Sequence, residues 1–293
     1  MYDTIIVGTG PAGFSAAMNL KIHNKSFLWF GSKDMSSKVS KAEKIRNYPG
    51  LPEITGQELQ AYFLQHAENM DIDISDKMVT MIMKNADSYM VLADNELYEA
   101  QTVLFATGVM TAKTLDGEEE FLGRGISYCA TCDGTLYKGK KIAVICNDER
   151  FEHEVEYLSE LAEHITYFPQ YRDCRFSAAN VSVSGDRPVR VEGENRAERL
   201  VLQSGEVLPA DGIFIIRNAI APDTLLKELE TKDGHIVVNR DMETNLEGCF
   251  AAGDCTGRPY QYTKAVGEGN VAAHSIIKYL AAKNDRKENK SGK

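Results

Sequence analysis

Short apolar runs alternate with helical stretches along this chain, and the first such unit lies at its start. An apolar run begins at Asp3, a glycine-rich turn follows it, and Phe14–Ile22 continues as a predicted helix. A second apolar run, Phe27–Phe30, comes directly after that helix. The order strand, turn, helix, strand predicts a parallel βαβ unit of the Rossmann type.

The same order recurs in the middle of the chain. Lys141–Cys146 is an apolar run, Phe151–Ala162 is a predicted helix, and Ile165–Phe168 is a second apolar run. Two copies of one unit predict an α/β fold with two Rossmann-like three-layer domains. The chain length of 293 residues and the hydrophobic content of 43% are sufficient for two cores.

Composition limits the cellular compartment and the classes of partner that we expect. The formal net charge of −10 argues against nucleic acid as a bulk partner. No charged leader precedes the first strand, and the sequence contains no 18-residue apolar run that could span a bilayer. We therefore expect a soluble, cytoplasmic protein without a membrane partner, in which scattered cysteines are free thiols or a redox pair.

The turn of the first unit carries a G-x-G-x-x-G motif. Gly8 permits a tight turn, Gly10 lets the backbone approach a pyrophosphate, and Gly13 lets the helix pack closely on the strand. Pro11 and Ala12 complete the motif. With a strand before it and a helix after it, the motif predicts dinucleotide binding, whereas a glycine-rich turn without a ligand is the less favoured alternative.

The second unit has lost these glycines. The corresponding positions are Cys146, Asp148 and Phe151. A β-carbon at Cys146 hinders the tight turn, the Phe151 ring opposes close helix packing, and Asp148 with Glu149 places negative charge where a pyrophosphate would lie. The second unit is therefore predicted to be a degenerate nucleotide-binding domain, with weak binding at a divergent site as the alternative.

The run Ser127–Gly134 contains a C-x-x-C pair, Cys129 and Cys132, followed by Asp133. Such a pair can exchange with another protein's disulfide, and an adjacent acid can move the proton. Zinc would need further ligands, and no second C-x-x-C or H-x-x-H is present, so we predict no metal. A helix cap is the alternative role for Asp133.

Two further apolar runs end in Ala-Thr-Gly and Gly-Asp, at 103–108 and 248–254. With the glycine motif and the cysteine pair, they make the chain similar to the low-molecular-weight thioredoxin reductases over nearly its whole length. The resemblance implies FAD as cofactor, with these further contact residues: Asn47, Ala106, Thr107, Gly108, Gly253, Asp254 and Gln261. It also implies that Cys132 faces the flavin and Cys129 attacks the partner, an order that the sequence alone leaves open.

The chain departs from NADPH-dependent members after its second repeat. Their His-Arg-Arg-type cluster is replaced by Pro169-Gln170-Tyr171. An intact flavin motif without a nicotinamide site resembles the ferredoxin-dependent flavin thioredoxin reductases. This resemblance implies thioredoxin and ferredoxin as partners, with flavodoxin as the alternative to ferredoxin. Three alternatives stay open: an NAD(P)H enzyme with a divergent site, a diflavin oxidoreductase, and a non-catalytic redox sensor.

These landmarks predict domain boundaries and an assembly. We expect an FAD domain at 1–112 and 242–293, an inserted dithiol domain at 113–241, and a polar tail without structure at 283–293. The resemblance implies a homodimer and a swing of one domain that carries the dithiol between flavin and partner. The basic run Lys33, Lys38, Lys41, Lys44 and Arg46 is a candidate ferredoxin contact, with a solvated charged loop as the alternative.

Overall fold

A computed structural model describes residues 1–35, 37–40, 42–108, 115–128, 130–217 and 222–291. The chain divides into two compact units, the first formed by Met1–Met110 with Ala221–Lys293 and the second by Thr111–Ile220. Both units are α/β, with a mixed sheet in the first and a parallel sheet in the second, so the predicted fold class is confirmed. No helix of the described residues is long and apolar enough to cross a membrane.

The strands are numbered in chain order. They are β1 (Tyr2–Val7), β2 (Phe27–Phe30), β3 (Val79–Asn85), β4 (Ser88–Ala93), β5 (Glu96–Phe105), β6 (Ile126–Ser127), β7 (Lys141–Cys146), β8 (His164–Pro169), β9 (Val181–Val183), β10 (Pro188–Gly193), β11 (Ala197–Leu202), β12 (Val207–Pro209), β13 (Gly212–Ile216), β14 (Thr231–Lys232), β15 (His235–Ile236) and β16 (Cys249–Ala251).

The helices are α1 (Pro11–Ile22), α2 (Ser37–Ser40), α3 (Gly56–Asn69), α4 (Glu118–Phe121), α5 (Ala130–Asp133), α6 (Glu152–Leu161), α7 (Pro222–Leu225) and α8 (Tyr262–Ser291). Short 3-10 turns lie at Gly134–Tyr137, Glu149–Phe151 and Asp254–Thr256.

The first unit is built on a sheet in the order β2-β1-β5-β4-β3, with β16 also paired to β5. The second half of β5 runs parallel to β1 and β16, and its first half pairs antiparallel with β4. Because β1, β5 and β16 are parallel, their carboxyl ends meet at one edge of the sheet. Gly8 N donates to Phe30 O, Ala106 N to Val7 O, and Ala252 N to Phe105 O, each at 2.8 Å.

Helices α1, α3 and α8 close the core of the first unit around Phe14, Leu20, Trp29 and Ile276. Helix α8 approaches the first turn of α1 closely, because a β-carbon at Gly269 would lie 2.2 Å from Ala12 O. Helix α3 begins at a capping box in which Glu58 N donates to Thr55 Oγ1 and Thr55 N donates to Glu58 Oε2.

The second unit contains an all-parallel sheet in the order β6-β13-β7-β8-β9. Its core is formed by buried side chains of these strands and of α6, among them Val144, Val155, Ile165, Tyr167 and Phe214. A three-stranded antiparallel sheet, β10-β11-β12, completes the unit. The predicted second copy of the βαβ unit is thus β7, α6 and β8.

Two sequence-based boundaries need correction. Residues 221–241, expected in the inserted domain, group with the first unit, where Glu230 N donates to Asn245 Oδ1 and His235 Nε2 pairs with Tyr260 OH at 2.7 Å. The polar tail, expected to lack structure, continues α8 to Ser291. Residues 281–291 are mostly good helix formers and contain neither proline nor glycine, so nothing in them ends the helix.

Candidate functional site

The glycine motif of the first unit forms an open cradle at the carboxyl edge of the sheet. Gly8 has φ +114°, and a β-carbon there would lie 2.3 Å from Ala106 O. A β-carbon at Gly13 would lie 2.1 Å from Gly8 O, whereas Gly10 faces open space. Gly10 precedes Pro11 at the start of α1, and no side chain caps the helix there. Its first amide groups are therefore open to a phosphate.

The residues carried over by resemblance lie at the same sheet edge or in two exposed side chains that contact each other. Ala106, Thr107 and Gly108 directly follow β5, and Gly108 has φ +69° with open space on its α-carbon. Asn47 and Gln261, far apart in sequence, are brought together: Asn47 Nδ2 donates to Gln261 Oε1, and both side chains are exposed. Gly253 and Asp254 follow β16 at the same sheet edge. This arrangement fits a dinucleotide with its pyrophosphate at α1.

A partly buried ion pair braces the loop that contains Gly253 and Asp254, and sequence reasoning missed it. Lys264 Nζ donates to Gly253 O at 2.9 Å and to Gly257 O at 2.8 Å. Glu268 Oε2 accepts from Gly253 N at 2.8 Å and lies 3.1 Å from Lys264 Nζ. Lys264 and Glu268 are four residues apart on α8, a spacing that is common on solvated helices and therefore gave no signal.

Trp29 is a second residue that sequence reasoning missed. Its indole Nε1 donates to Gly8 O at 2.9 Å, and its side chain is 1% exposed. The indole thereby holds the carbonyl of the tight turn from the side of β2. A lone tryptophan in an apolar strand gave no sequence signal beyond a core residue.

The candidate dithiol lies in the second unit, next to the carboxyl end of β6. Cys129 lies outside the described residues, and the backbone of Cys132 belongs to α5. Asp133 is half-buried, and its Oδ2 accepts from Ser127 Oγ at 2.7 Å. Ser127 therefore orients the carboxylate that the sequence predicts as a proton carrier. No group of residues that could hold a metal ion occurs in the described part of the chain.

The turn after β7 is occupied by its own side chains. Asp148 accepts from Arg150 N and Nε, both at 3.1 Å, and from Arg150 Nη2 at 2.9 Å. Cys146 Sγ donates to Asp148 O at 3.2 Å, and burial raises the pKa of this thiol to about 11, which keeps it protonated at neutral pH. The carboxylate and guanidinium lie in the turn where the first unit has bare backbone.

A further carboxylate lies at the start of α6. Tyr171 OH donates to Glu152 Oε1, and the hydroxyls of Tyr167 and Tyr171 are 2.6 Å apart. Together with Asp148 and Glu149, Glu152 makes this helix start acidic, opposite to what a pyrophosphate requires. The residues of the second unit therefore do not fit a nicotinamide dinucleotide in the way that the first unit fits FAD.

Comparison with known proteins agrees with this geometry. The pyridine nucleotide-disulphide oxidoreductase family matches residues 2–147 and 153–269. A thioredoxin reductase of Treponema pallidum is 32% identical over 95% of this chain and 97% of its own length. Two crystal structures of ferredoxin-flavin thioredoxin reductase from Clostridium acetobutylicum are also similar. One is 41% identical with a TM-score of 0.91, over 97% of this chain and 98% of that one. The other is 44% identical with a TM-score of 0.87, over 96% and 98%.

The fold and the glycine cradle define an FAD-binding oxidoreductase with two α/β units. The chain belongs to the pyridine nucleotide-disulphide oxidoreductase family and, within it, to the thioredoxin-reductase-type flavoprotein disulfide reductases. The predictions of fold class and of FAD as cofactor are confirmed. The assignment of individual site residues stays a prediction.

Proposed function

We propose that this protein passes electrons from reduced ferredoxin, through FAD and the Cys129–Cys132 pair, to the disulfide of thioredoxin. The observation that carries the proposal is the contrast between the two turns. The first leaves the backbone of Gly10 open at the start of α1, and the second carries the ion pair of Asp148 and Arg150, whose side chains are 2.9 Å apart. A flavin site without a nicotinamide site requires another electron donor.

The electron balance favours a donor of single electrons at low potential. Reduction of one disulfide to two thiols consumes two electrons and two protons, which two reduced ferredoxins and the solvent supply. Bound FAD supplies the conversion between one-electron and two-electron chemistry. From about −400 mV for a ferredoxin to about −270 mV for a thioredoxin, the transfer is downhill by on the order of 6 kcal/mol.

The chain's own residues divide the dithiol chemistry among them. Cys129 attacks one sulfur of the thioredoxin disulfide, forms a mixed disulfide and releases the other sulfur as a thiolate. Cys132 then attacks Cys129, which closes the intramolecular disulfide and releases reduced thioredoxin. Asp133, oriented by Ser127, moves the proton that accompanies these thiol and thiolate changes.

Support for ferredoxin comes from the similar C. acetobutylicum proteins, which are ferredoxin-flavin thioredoxin reductases, and from the basic run before Asn47. Part of the positive charge of this run is compensated, because the carboxylate of Glu53 lies 3.0 Å from Lys44 Nζ and 3.3 Å from Arg46 Nε. Lys41 lies outside the described residues. The candidate contact is therefore weaker in charge than the sequence predicts, and it rests on Lys33, Lys38 and Lys41. A flavodoxin could serve the same role.

The proposal is tested by thiol formation on thioredoxin with each donor in turn. Purified FAD-loaded enzyme is mixed anaerobically with oxidised thioredoxin and either reduced ferredoxin, NADPH or NADH. We expect turnover with ferredoxin alone, and none in Cys129→Ser with any donor. Turnover with NADPH at the rate found with ferredoxin, or turnover in Cys129→Ser, would overturn the proposal.

A further inference from the structure

A buried charged network lies beside the candidate dithiol. Glu118 Oε1 accepts from Tyr128 OH at 2.5 Å and also from Arg217 Nη2. The guanidinium of Arg217 stacks on the Tyr128 ring, with its central carbon 4.9 Å from the ring centroid. Relative exposures are 1% for Glu118, 3% for Arg217 and 8% for Tyr128, so water does not reach these contacts.

The topology explains why these three residues meet. Strands β6 and β13 are parallel neighbours, with Ser127 opposite Phe214, so their carboxyl ends lie at one sheet edge. Tyr128 directly follows β6, and Arg217 directly follows β13. Glu118 begins α4, and its second oxygen accepts from Leu115 N at 2.8 Å. One carboxylate therefore ties together two strand ends and the segment that precedes α4.

The network is costly as a means of stability alone. Burying an ion pair removes both charges from water, and apolar side chains of similar volume often stabilise a fold as well or better. Arg217 Nε is buried without a hydrogen-bond partner among the described residues, which adds to this cost. Burial lowers the pKa of the Arg217 guanidinium to about 10, so the group is still charged at neutral pH. Such a network is better explained by the conformation that it imposes.

The segment whose conformation this network would influence is 129–132, which contains the two cysteines. Tyr128 is the residue before Cys129, and its ring is fixed on one side by Glu118 and stacked by Arg217. Asp133 is the residue after Cys132, and its carboxylate is fixed by Ser127 Oγ. Both flanks of the C-x-x-C segment are thus tied by side chains to the carboxyl edge of the sheet that β6 and β13 form.

We infer that Glu118, Arg217 and Tyr128 are positioning residues for the dithiol, which hold the backbone entering Cys129 so that the two thiols differ in reactivity. The inference rests on the proposed role of the Cys129–Cys132 pair. In this inference the network acts through the chain at Tyr128, the residue before Cys129. Removing the Tyr128 hydroxyl bond frees this entry point without changing any thiol.

The test uses Tyr128→Phe in the full-length, FAD-loaded protein, with Tyr89→Phe as the matched control. Tyr89 is 1% exposed, and its hydroxyl donates to Glu247 O at 2.8 Å in the first unit. Each variant therefore loses one buried tyrosine hydroxyl bond. A second variant, Glu118→Met with Arg217→Met, removes both charges together and leaves no buried charge unpaired.

Two readouts separate positioning from general stability. After reduction, brief alkylation with iodoacetamide and peptide mass analysis give the ratio of labelling rates of Cys129 and Cys132, which needs neither ferredoxin nor thioredoxin. We expect this ratio to fall about threefold or more in Tyr128→Phe and in the double variant. We also expect thioredoxin reduction by dithionite-reduced enzyme to slow about tenfold, while Tyr89→Phe matches the wild type in both.

Wild-type labelling ratios in Tyr128→Phe and in the double variant would overturn the inference, even if turnover fell, because the residues would then act on partner docking and not on the thiols. Failure of the proposed function is distinguishable from this result. In that case the wild type itself would not reduce thioredoxin, and the labelling ratio would still report on positioning.

Discussion

The two βαβ units of this chain share one topology and differ in what their turns can hold. In the first, β1 leads through Gly8 and Gly10 into α1, and the backbone at Gly10 faces open space. In the second, β7 leads through Cys146 and Asp148 into α6, and the Asp148–Arg150 pair occupies the turn. Strand pairing and helix packing survive because they depend on the apolar pattern. We expect the capacity to bind a nucleotide to be lost, because it depends on a few positions where a β-carbon or a charge is excluded.

The proposed function assigns the disulfide chemistry of the second unit to its dithiol, and loss of the dithiol should have the largest effect. In Cys129→Ser and in Cys132→Ser we expect thioredoxin reduction to fall about a thousandfold or more, because serine cannot form the mixed or internal disulfide. FAD content and flavin reduction by dithionite should equal those of the wild type. Visible absorbance measures FAD content and flavin reduction, and thiol titration measures thioredoxin reduction. Normal thioredoxin reduction in either variant would show that the pair is structural.

Matched substitutions at the first turn residue compare the two units directly. Gly8→Ala places a β-carbon 2.3 Å from Ala106 O at φ +114°, so we expect a loss of about 2 kcal/mol in unfolding free energy and of most bound FAD. Cys146→Ala changes the corresponding residue of the second unit and should leave FAD content unchanged, with a loss of about 1 kcal/mol. Urea unfolding measures the change in unfolding free energy, and the flavin-to-protein absorbance ratio measures the bound FAD. Equal FAD loss in both variants would contradict the comparison.

The brace on the Gly253 loop has no equivalent in the sequence-based account, and it should affect FAD moderately. Lys264→Met removes the donor to Gly253 O and Gly257 O, so we expect FAD affinity to fall about tenfold. Lys278→Met, an exposed lysine of the same helix, is the control and should bind FAD normally. Flavin fluorescence on titration of the apoprotein gives both affinities. Unchanged FAD affinity in Lys264→Met would show that the hydrogen bonds of Lys264 are not needed for FAD binding.

The smallest effect is expected at the candidate ferredoxin contact. Charge reversal of Lys38 and Lys41 should slow flavin reduction by ferredoxin about threefold at low ionic strength, and the deficit should shrink as salt screens the charges. Reduction by dithionite serves as the control and should stay unchanged. Stopped-flow absorbance at two salt concentrations measures the effect. Identical ferredoxin kinetics at low salt would exclude this basic run as the docking surface.

The sequence predicted those features that depend on residue type at a fixed spacing. The apolar runs predicted β1, β2, β7 and β8, and the glycines Gly8, Gly10 and Gly13 predicted the open turn, because only their lack of a β-carbon permits it. The residues Cys146, Asp148 and Phe151 at the corresponding positions predicted a degenerate nucleotide-binding turn in the second unit, which stays a prediction.

The sequence did not predict features that depend on contacts between distant segments. Lys264 and Glu268 look like an ordinary solvated pair until Gly253 is placed beside them. Glu118, Tyr128 and Arg217 meet only because β6 and β13 are neighbours. Residues 221–241 were assigned to the wrong unit because no change in composition marks the point where the chain returns to the first unit. The tail at 283–291 was predicted to lack structure because its polarity was given more weight than its helix propensity.

We propose that the second unit no longer binds a nicotinamide nucleotide and that ferredoxin replaces this nucleotide as the electron donor. The direct measurement mixes the purified enzyme anaerobically with reduced ferredoxin, NADPH or NADH and follows the visible absorbance of the bound flavin. The triple variant Cys146→Gly, Asp148→Gly, Phe151→Gly is measured alongside. Its flavin should stay unreactive to NADPH, because the sequence still lacks the basic cluster that binds the 2′-phosphate. We expect bleaching by ferredoxin alone in the wild type, and no rapid bleaching of the variant by NADPH. Rapid bleaching of the wild-type flavin by NADPH or NADH would contradict it.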